Sequence, residues 1–263
     1  MRKSFFAITG LVFCLLPLTA EARGFEDFTA REPALKQSGH WEWAWDGSDS
    51  LGVGAPATVH YVASGPARIV VNGPDEMLEH LRVGQGQIRM ECDNDCHFNG
   101  RRLDITVSGV ALNTVGLAGS GEIVLGRLDQ DRLKLAISGS GRASAEGRIG
   151  RMDLSISGSG QARLGEVAVQ QADINISGSG QVGAQGRMDR VELMIAGSGD
   201  AHLDDVVIRQ ANVHITGSGT ADMTPHDEAD VHVVGSGKVR MKATPARFNQ
   251  TVMGSGGVRV AGD

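Results

Sequence analysis

The chain has 263 residues, a formal charge of −6 at pH 7, 37 glycines and only 4% aromatic residues. Its pI is near 5.7, so it carries no basic footprint for nucleic acid. Beyond the first 22 residues no segment is long and apolar enough to read as a transmembrane helix.

Residues 1–22, MRKSFFAITGLVFCLLPLTAEA, have the form of a secretory signal peptide. Arg2 and Lys3 give the positive start, Phe5 to Leu18 the short apolar run, and Ala20-Glu21-Ala22 a small-x-small cleavage site. A retained anchor is the alternative, disfavoured because the run is short for a bilayer. Cys14 is not a lipidation site, since Phe13 stands where a small residue is needed. The mature chain is then expected to begin at Arg23 and to be exported, to the periplasm or the outer cell surface. About 240 residues remain, and they contain no outer-membrane barrel pattern of their own.

Residues 23–55 are expected to form an N-terminal segment and cap. They include W-E-W-A-W, which places Trp41, Trp43 and Trp45 at period two and so on one strand face. Packing over the first coil is one reading; a stacking surface for a glycan or a membrane-edge anchor is the other. Next, residues 57–73 read as two strands around Ser64-Gly65-Pro66, and Pro74 to Leu81 as a short helical turn. Gln87 to Glu91, Leu103 to Val107 and Leu112 to Leu117 read as opening coils of a larger stack. Between them lie Cys92 and Cys96, the cysteines left after processing. An exported chain meets an oxidising compartment, which favours a small disulfide loop over a metal site built with Asp93, Asp95 and His97.

From here a repeat dominates. Gly-Ser-Gly begins at residues 119, 139, 158, 178, 197, 217, 235 and 254, at intervals of 20, 19, 20, 19, 20, 18 and 19. A short, nearly fixed period marks a solenoid, in which each repeat buries its apolar face only against its neighbours. Two residues before each corner stand Ile137, Ile156, Ile176, Ile195, Ile215, Val233 and Val252. Four before stand Leu135, Leu154, Ile174, Leu193, Val213, Val231 and then Gln250. After the corner the alternation resumes with pairs such as Ala143/Ala145, Ala162/Leu164 and Val182/Ala184. Period-two alternation of this kind is a strand with one buried face. A second corner precedes one further apolar residue per coil (Leu128, Ile149, Val167, Met188, Val206), and coils with Gly147-Arg148 and Gly186-Arg187 alternate with the others in a 39-residue double period.

These features specify an all-β fold: a right-handed parallel β-helix, or β-solenoid, with about 19–20 residues per coil. It should occupy residues 56–263, with corners from 119 to 256. The corner glycines permit bends that a Cβ would oppose. The structural corner residues are Gly139, Ser140, Gly141, Gly158, Ser159, Gly160, Gly178, Ser179, Gly180, Gly197, Ser198 and Gly199. Their serines are expected to stack as a ladder of hydroxyls able to bond neighbours or turn backbone.

The recurring Gly-Ser-Gly, the string Val70-Val71-Asn72-Gly73-Pro74 ahead of Leu78, and Ile88-Arg89-Met90 together resemble the bacterial GIN-domain family, described as auto-transporter adhesin heads. The resemblance spans about residues 50 to 260. It implies an exported, non-enzymatic β-helix and offers no catalytic residues.

Gly-Ser-Gly lacks the G-x-S-x-G spacing of a nucleophile elbow, the Lys of a phosphate loop and the Asp of calcium-binding nonapeptides. His214 and His232 fall in one outward column and should be stacked neighbours, without a third ligand there. Lys134, Asp153, Asp173, Glu192, Asn212, Asp230 and Asn249 form another column, flanked by Arg132, Arg151 and Arg190. A charge-paired, solvated face is the main reading; a calcium-bridged or sugar-cleaving carboxylate cluster of a polysaccharide lyase or hydrolase is the alternative. No catalytic residue, cofactor or metal is therefore expected. The expected partner is an envelope or surface protein or glycan, and the uncovered last coil near Val258-Arg259-Val260 points to end-to-end self-association.

Overall fold

The structure is a computed structural model describing residues 28–91 and 98–261. In chain order its elements are β1 (Leu35–Gln37), β2 (His40–Ala44), β3 (Ser50–Gly54), β4 (Ala57–Val62), β5 (Arg68–Asn72), α1 (Asp75–Leu78), β6 (Leu81–Gly84), β7 (Gln87–Met90), β8 (Leu103–Ser108) and β9 (Thr114–Gly119). Then come β10 (Glu122–Gly139), β11 (Arg142–Gly158), β12 (Gln161–Gly178), β13 (Gln181–Gly197), β14 (Asp200–Gly217), β15 (Thr220–Gly235), β16 (Lys238–Met241), β17 (Arg247–Gly254) and β18 (Gly257–Val260). Each of β10 to β15 is one bent ribbon that starts just after one Gly-Ser-Gly and ends at the first glycine of the next.

Successive ribbons pair in parallel, residue over residue, so the chain is a β-solenoid. The isoleucine column is continuous: Ile137 pairs with Ile156, then Ile176, Ile195, Ile215 and Val233, and all six are 2% exposed or less. Below Ile137 the column runs on through Leu117, Val53 and Ile88. The strands after the corners bring smaller residues into the core, among them Ala143, Ala162 and Ala201, all buried. The interior thus combines columns of Ile, Leu and Val with columns rich in Ala. Burying each large aliphatic side chain is worth about 1.5–3 kcal/mol, and no coil acquires that without its neighbours.

The lower end is built differently. Ser50–Gly54, in the segment expected to cap, lies in the stack as β3, parallel to both β7 and β9. β4 and β5 do not pair with each other: β8 lies between them, parallel to β4 and antiparallel to β5. β5, β2 and β1 then continue as an antiparallel margin, which breaks the parallel template. Beneath the other face, β6 and β7 form an antiparallel hairpin. Its edge is covered, since Arg31 N–H donates to the Val83 carbonyl at 2.8 Å, and a Cβ on Gly84 would meet the Thr29 carbonyl oxygen at 2.2 Å.

At the second corner the register differs from the simple alignment. Ile149 does not stack on Val167; it pairs with Val169, while Val167 pairs with Gly147. The column is Leu128, Gly147, Val167, Gly186, Val206, alternating aliphatic and glycine. The 20-residue coils carry one extra residue there, Gly126 or Gly165, where the ladder shifts register. The 19-residue coils instead cut the corner at Gly147 (φ 114°) and Gly186 (φ 109°). A Cβ on either would stand 2.2 Å from the carbonyl oxygen of Leu128 or Val167 below. That is the physical content of the 39-residue double period.

Candidate functional site

The parts of the molecule available to a partner are its corners, its outward columns and its two ends. At the Gly-Ser-Gly corners, the first glycine takes a positive φ, from 85° at Gly119 to 124° at Gly254, where an L side chain is strained. The third glycine is buried for a different reason: a Cβ on Gly160 would lie 2.6 Å from Ile137 Cγ2 of the coil below, and one on Gly180 2.5 Å from Ile156 Cγ2. The serine between them is exposed. The ladder here is made by backbone, not hydroxyls: Ser159 N–H donates to the Gly139 carbonyl at 2.9 Å and Ser179 N–H to that of Gly158 at 2.9 Å. Ser140, Ser159, Ser179 and Ser198 line an exposed ridge.

The outward column of the pre-corner face is charge-paired where it is most acidic. Arg151 reaches Asp153 at 3.2 Å and also Asp173 in the next coil; its hydrogen bond to Asp153 and the field of Asp173 hold the guanidinium pKa above its ordinary value. Higher up, Arg247 pairs with Glu228 at 2.9 Å and Asn249 donates to Asp230 at 2.8 Å. Glu192 lies between Asp173 and Asn212 in register. On the same face, His214 and His232 stack with ring centroids 5.0 Å apart and planes within 5°. Among the described residues no group of three or more His, Cys, Asp or Glu is placed to hold a metal.

The post-corner face carries a second charged cluster, outside the pre-corner columns. Arg240 grips Asp222 with two bonds, Nη2 to Oδ2 at 2.7 Å among them, and His202 Nδ1 lies 3.4 Å from the same carboxylate. Lys242 reaches Asp204 at 2.6 Å. Arg240 holds the Asp222 carboxyl below its usual range, and Lys242 does so for Asp204. The signal was in the sequence: His202, Asp222 and Arg240 each stand five residues after the first glycine of a corner. Along the second bend an open groove of about 500 Å³ is lined by Asp129, Arg148, Gln170, Arg187 and Asp189, with Ile149 at its floor. Asp129 and Arg148 pair across coils at 2.8 Å.

Asp75, Asp204 and Asp222 are all held below the usual carboxylate range, by hydrogen bonds from Ser38, Lys242 and Arg240 respectively. Of the three tryptophans, two have their rings closed off. Trp41 and Trp43 are 6% and 2% exposed, with centroids 5.8 Å apart. The indole of Trp43 donates to the Arg31 carbonyl and that of Trp45 to the Ser48 carbonyl, at 2.9 and 2.8 Å; they pack and fasten the lower end. Cys92 and Cys96 lie outside the described residues.

The comparisons agree with this architecture. The family model "Putative auto-transporter adhesin, head GIN domain" matches at residues 49–165 and again at 144–245, two passes over one repeated pattern. No curated protein matches the sequence. Among solved structures, a "putative lipid binding protein" from Parabacteroides distasonis is similar at TM-score 0.75 and 20% identity, covering 84% of this chain and 95% of that one. A "putative adhesin" from Parabacteroides merdae gives 0.75, 20%, 84% and 95% in the same terms. Another "putative adhesin", from Bacteroides fragilis, gives TM-score 0.63 and 18% identity with the same coverages. At such identities these neighbours share the fold alone. With nearly the whole solenoid matched by its model, the chain belongs to the auto-transporter adhesin head GIN-domain family.

Proposed function

We propose that this protein is an exported, non-enzymatic solenoid whose flat sides bind a protein or glycan of the cell envelope or surface, in adhesion or envelope scaffolding. The observation that carries the reading is the outward columns: side chains repeat at one-coil spacing along rigid faces, as Arg151 with Asp153 and Asp173 or Asp222 with His202 and Arg240. A partner laid along the rod meets outward polar and charged side chains at a fixed one-coil spacing. Repeated weak contacts then add along the rod, and a preformed surface loses little entropy on binding.

Export rests on residues 1–22, whose removal leaves Arg23 as the mature N-terminus; intact-mass measurement of the secreted protein checks this directly. Brief protease treatment of intact cells tests adhesion. Cleavage of the protein before the envelope is breached supports a surface adhesin. Protection until breach assigns it to the periplasm and removes adhesion in favour of scaffolding.

A further inference from the structure

The two ends of the rod are unlike. At the N-terminal end the outermost strands are β1, of three residues, and β6, of four, and the antiparallel margin with its tryptophans covers the first coil. At the other end the outermost described strands are β17, of eight residues and paired to β15 alone, and the shorter β18, of four residues and paired to β16 alone. The inward residues of β17, Phe248, Gln250 and Val252, sit over Ala229, Val231 and Val233. Phe248 is half-buried and Val252 is 37% exposed, because among the described residues no strand pairs with β17 on its outer side. A free strand of this length is a pairing template.

We infer that β17 pairs antiparallel with β17 of a second copy, joining two rods tail to tail about a twofold axis at Gln250. The pleat restricts the register, because inward residues must face inward residues. Centring the axis on Gln250 sets Phe248 opposite Val252 of the second copy, and Val252 opposite Phe248, closing the open aliphatic end from both sides. Outside, Asn249 meets Thr251 and Arg247 meets Met253, so no like charges are opposed. Met253, 58% exposed, gains a neighbour. At the axis the two Gln250 side chains meet, and carboxamides can donate to and accept from one another.

This register also gives a reason for a break in pattern. The column holding Leu135, Leu154, Ile174, Leu193, Val213 and Val231 is aliphatic until its last rung, which is Gln250. A self-complementary amide on a twofold axis fixes register, as a polar residue does at a core position of a coiled coil. Head-to-tail stacking is disfavoured because the N-terminal margin is antiparallel and covered, so growth stops at two copies. Closure by an isologous contact is the common route to a dimer.

Sedimentation of the protein from low to high micromolar concentration, with variants at this strand, tests the proposal. The parent should form a dimer. Gln250→Lys, at an exposed position in the monomer, places two ammonium groups face to face and should weaken the dimer by about tenfold or more. Gln250→Cys should cross-link two chains under mild oxidation, since opposed Cα atoms in an antiparallel pair lie about 4.5–5.5 Å apart, within disulfide reach. Val207→Cys, 51% exposed in the middle of the rod, should not. A parent that stays monomeric throughout overturns the inference. So does a dimer indifferent to Gln250→Lys, or one in which Gln250→Cys cross-links no faster than Val207→Cys.

Discussion

At the scale of single residues, the two glycines of each corner answer to different forces. Gly197 is there for its backbone: φ is 122°, and a Cβ would stand 2.5 Å from the Gly178 carbonyl oxygen. Gly160 is there for its neighbour, Ile137. Gly197→Ala should therefore cost about 1–3 kcal/mol in chemical denaturation, whatever surrounds it. Gly160→Ala should cost about as much by overpacking, but markedly less when Ile137 is already Ala. A double-mutant cycle showing no coupling between residues 137 and 160 contradicts this division. The charged residues predict a pH effect. Arg240 and Lys242 hold Asp222 and Asp204 below their unfolded pKa, so the stabilisation is complete above about pH 4 and is lost as pH falls through the native value. Asp222→Asn should make the acid limb of unfolding shallower while costing only about 0.5–1 kcal/mol at pH 7, the scale of an exposed pair. An unchanged acid limb would count against the pairing. On the non-enzymatic reading, the wild-type chain should show no turnover when assayed against common envelope glycans; a wild-type turnover that Asp153→Asn, Asp173→Asn or Glu192→Gln abolishes contradicts that reading.

At the scale of elements, the unit of construction is the pair of coils. The alternation of aliphatic and glycine at Leu128, Gly147, Val167 and Gly186 means a long coil fits on a short one. Removing Ser140 to Gly178, 39 residues, deletes β11 and β12 and sets β13 on β10 with that alternation intact. Such a protein should keep cooperative thermal unfolding and strand-type circular dichroism. Removing only Ser140 to Gly158, 19 residues, sets one long coil on another, with Val167 over Leu128, and should unfold at a clearly lower temperature. Equal stability of the two deletions would show that the alternation has no energetic weight. How legible this was differs by element. Ile137 to Val252 announced a strand, a period and a buried column, because period-two burial and a repeat constrain each other at every copy. The second corner misled: Ile149 and Val167 look equivalent by spacing, and only the carbonyl contacts of Gly147 and Gly186 separate them. The lower end was least legible, since β3, β4 and β8 interleave out of chain order, and pairing between non-neighbouring strands leaves no periodic mark. The Asp222 cluster was readable from alternation after the corner, and the burial of Trp41 and Trp43 was one of two readings that spacing left open.

At the scale of the whole molecule, the described residues form a stack of coils with an antiparallel margin at its lower end, strands paired on one side only at its upper end, and sides patterned at the spacing of one coil. Its stability is a sum of neighbour contacts, so its shape persists wherever a partner touches it. Binding along the sides and pairing at the tail are compatible, since they use different surfaces, and a tail-to-tail pair would double the length of patterned face available to one ligand. All of this requires that residues one coil apart lie directly over one another. Paired cysteines at the exposed corners test it: Ser159→Cys with Ser179→Cys, in adjacent coils, against Ser159→Cys with Ser198→Cys, two coils apart. The stack predicts rapid intramolecular disulfide formation for the first pair, found by mass spectrometry of the linked peptide, and none for the second, whose backbones are about 10 Å apart. Equal cross-linking of both pairs, or of neither, would contradict it.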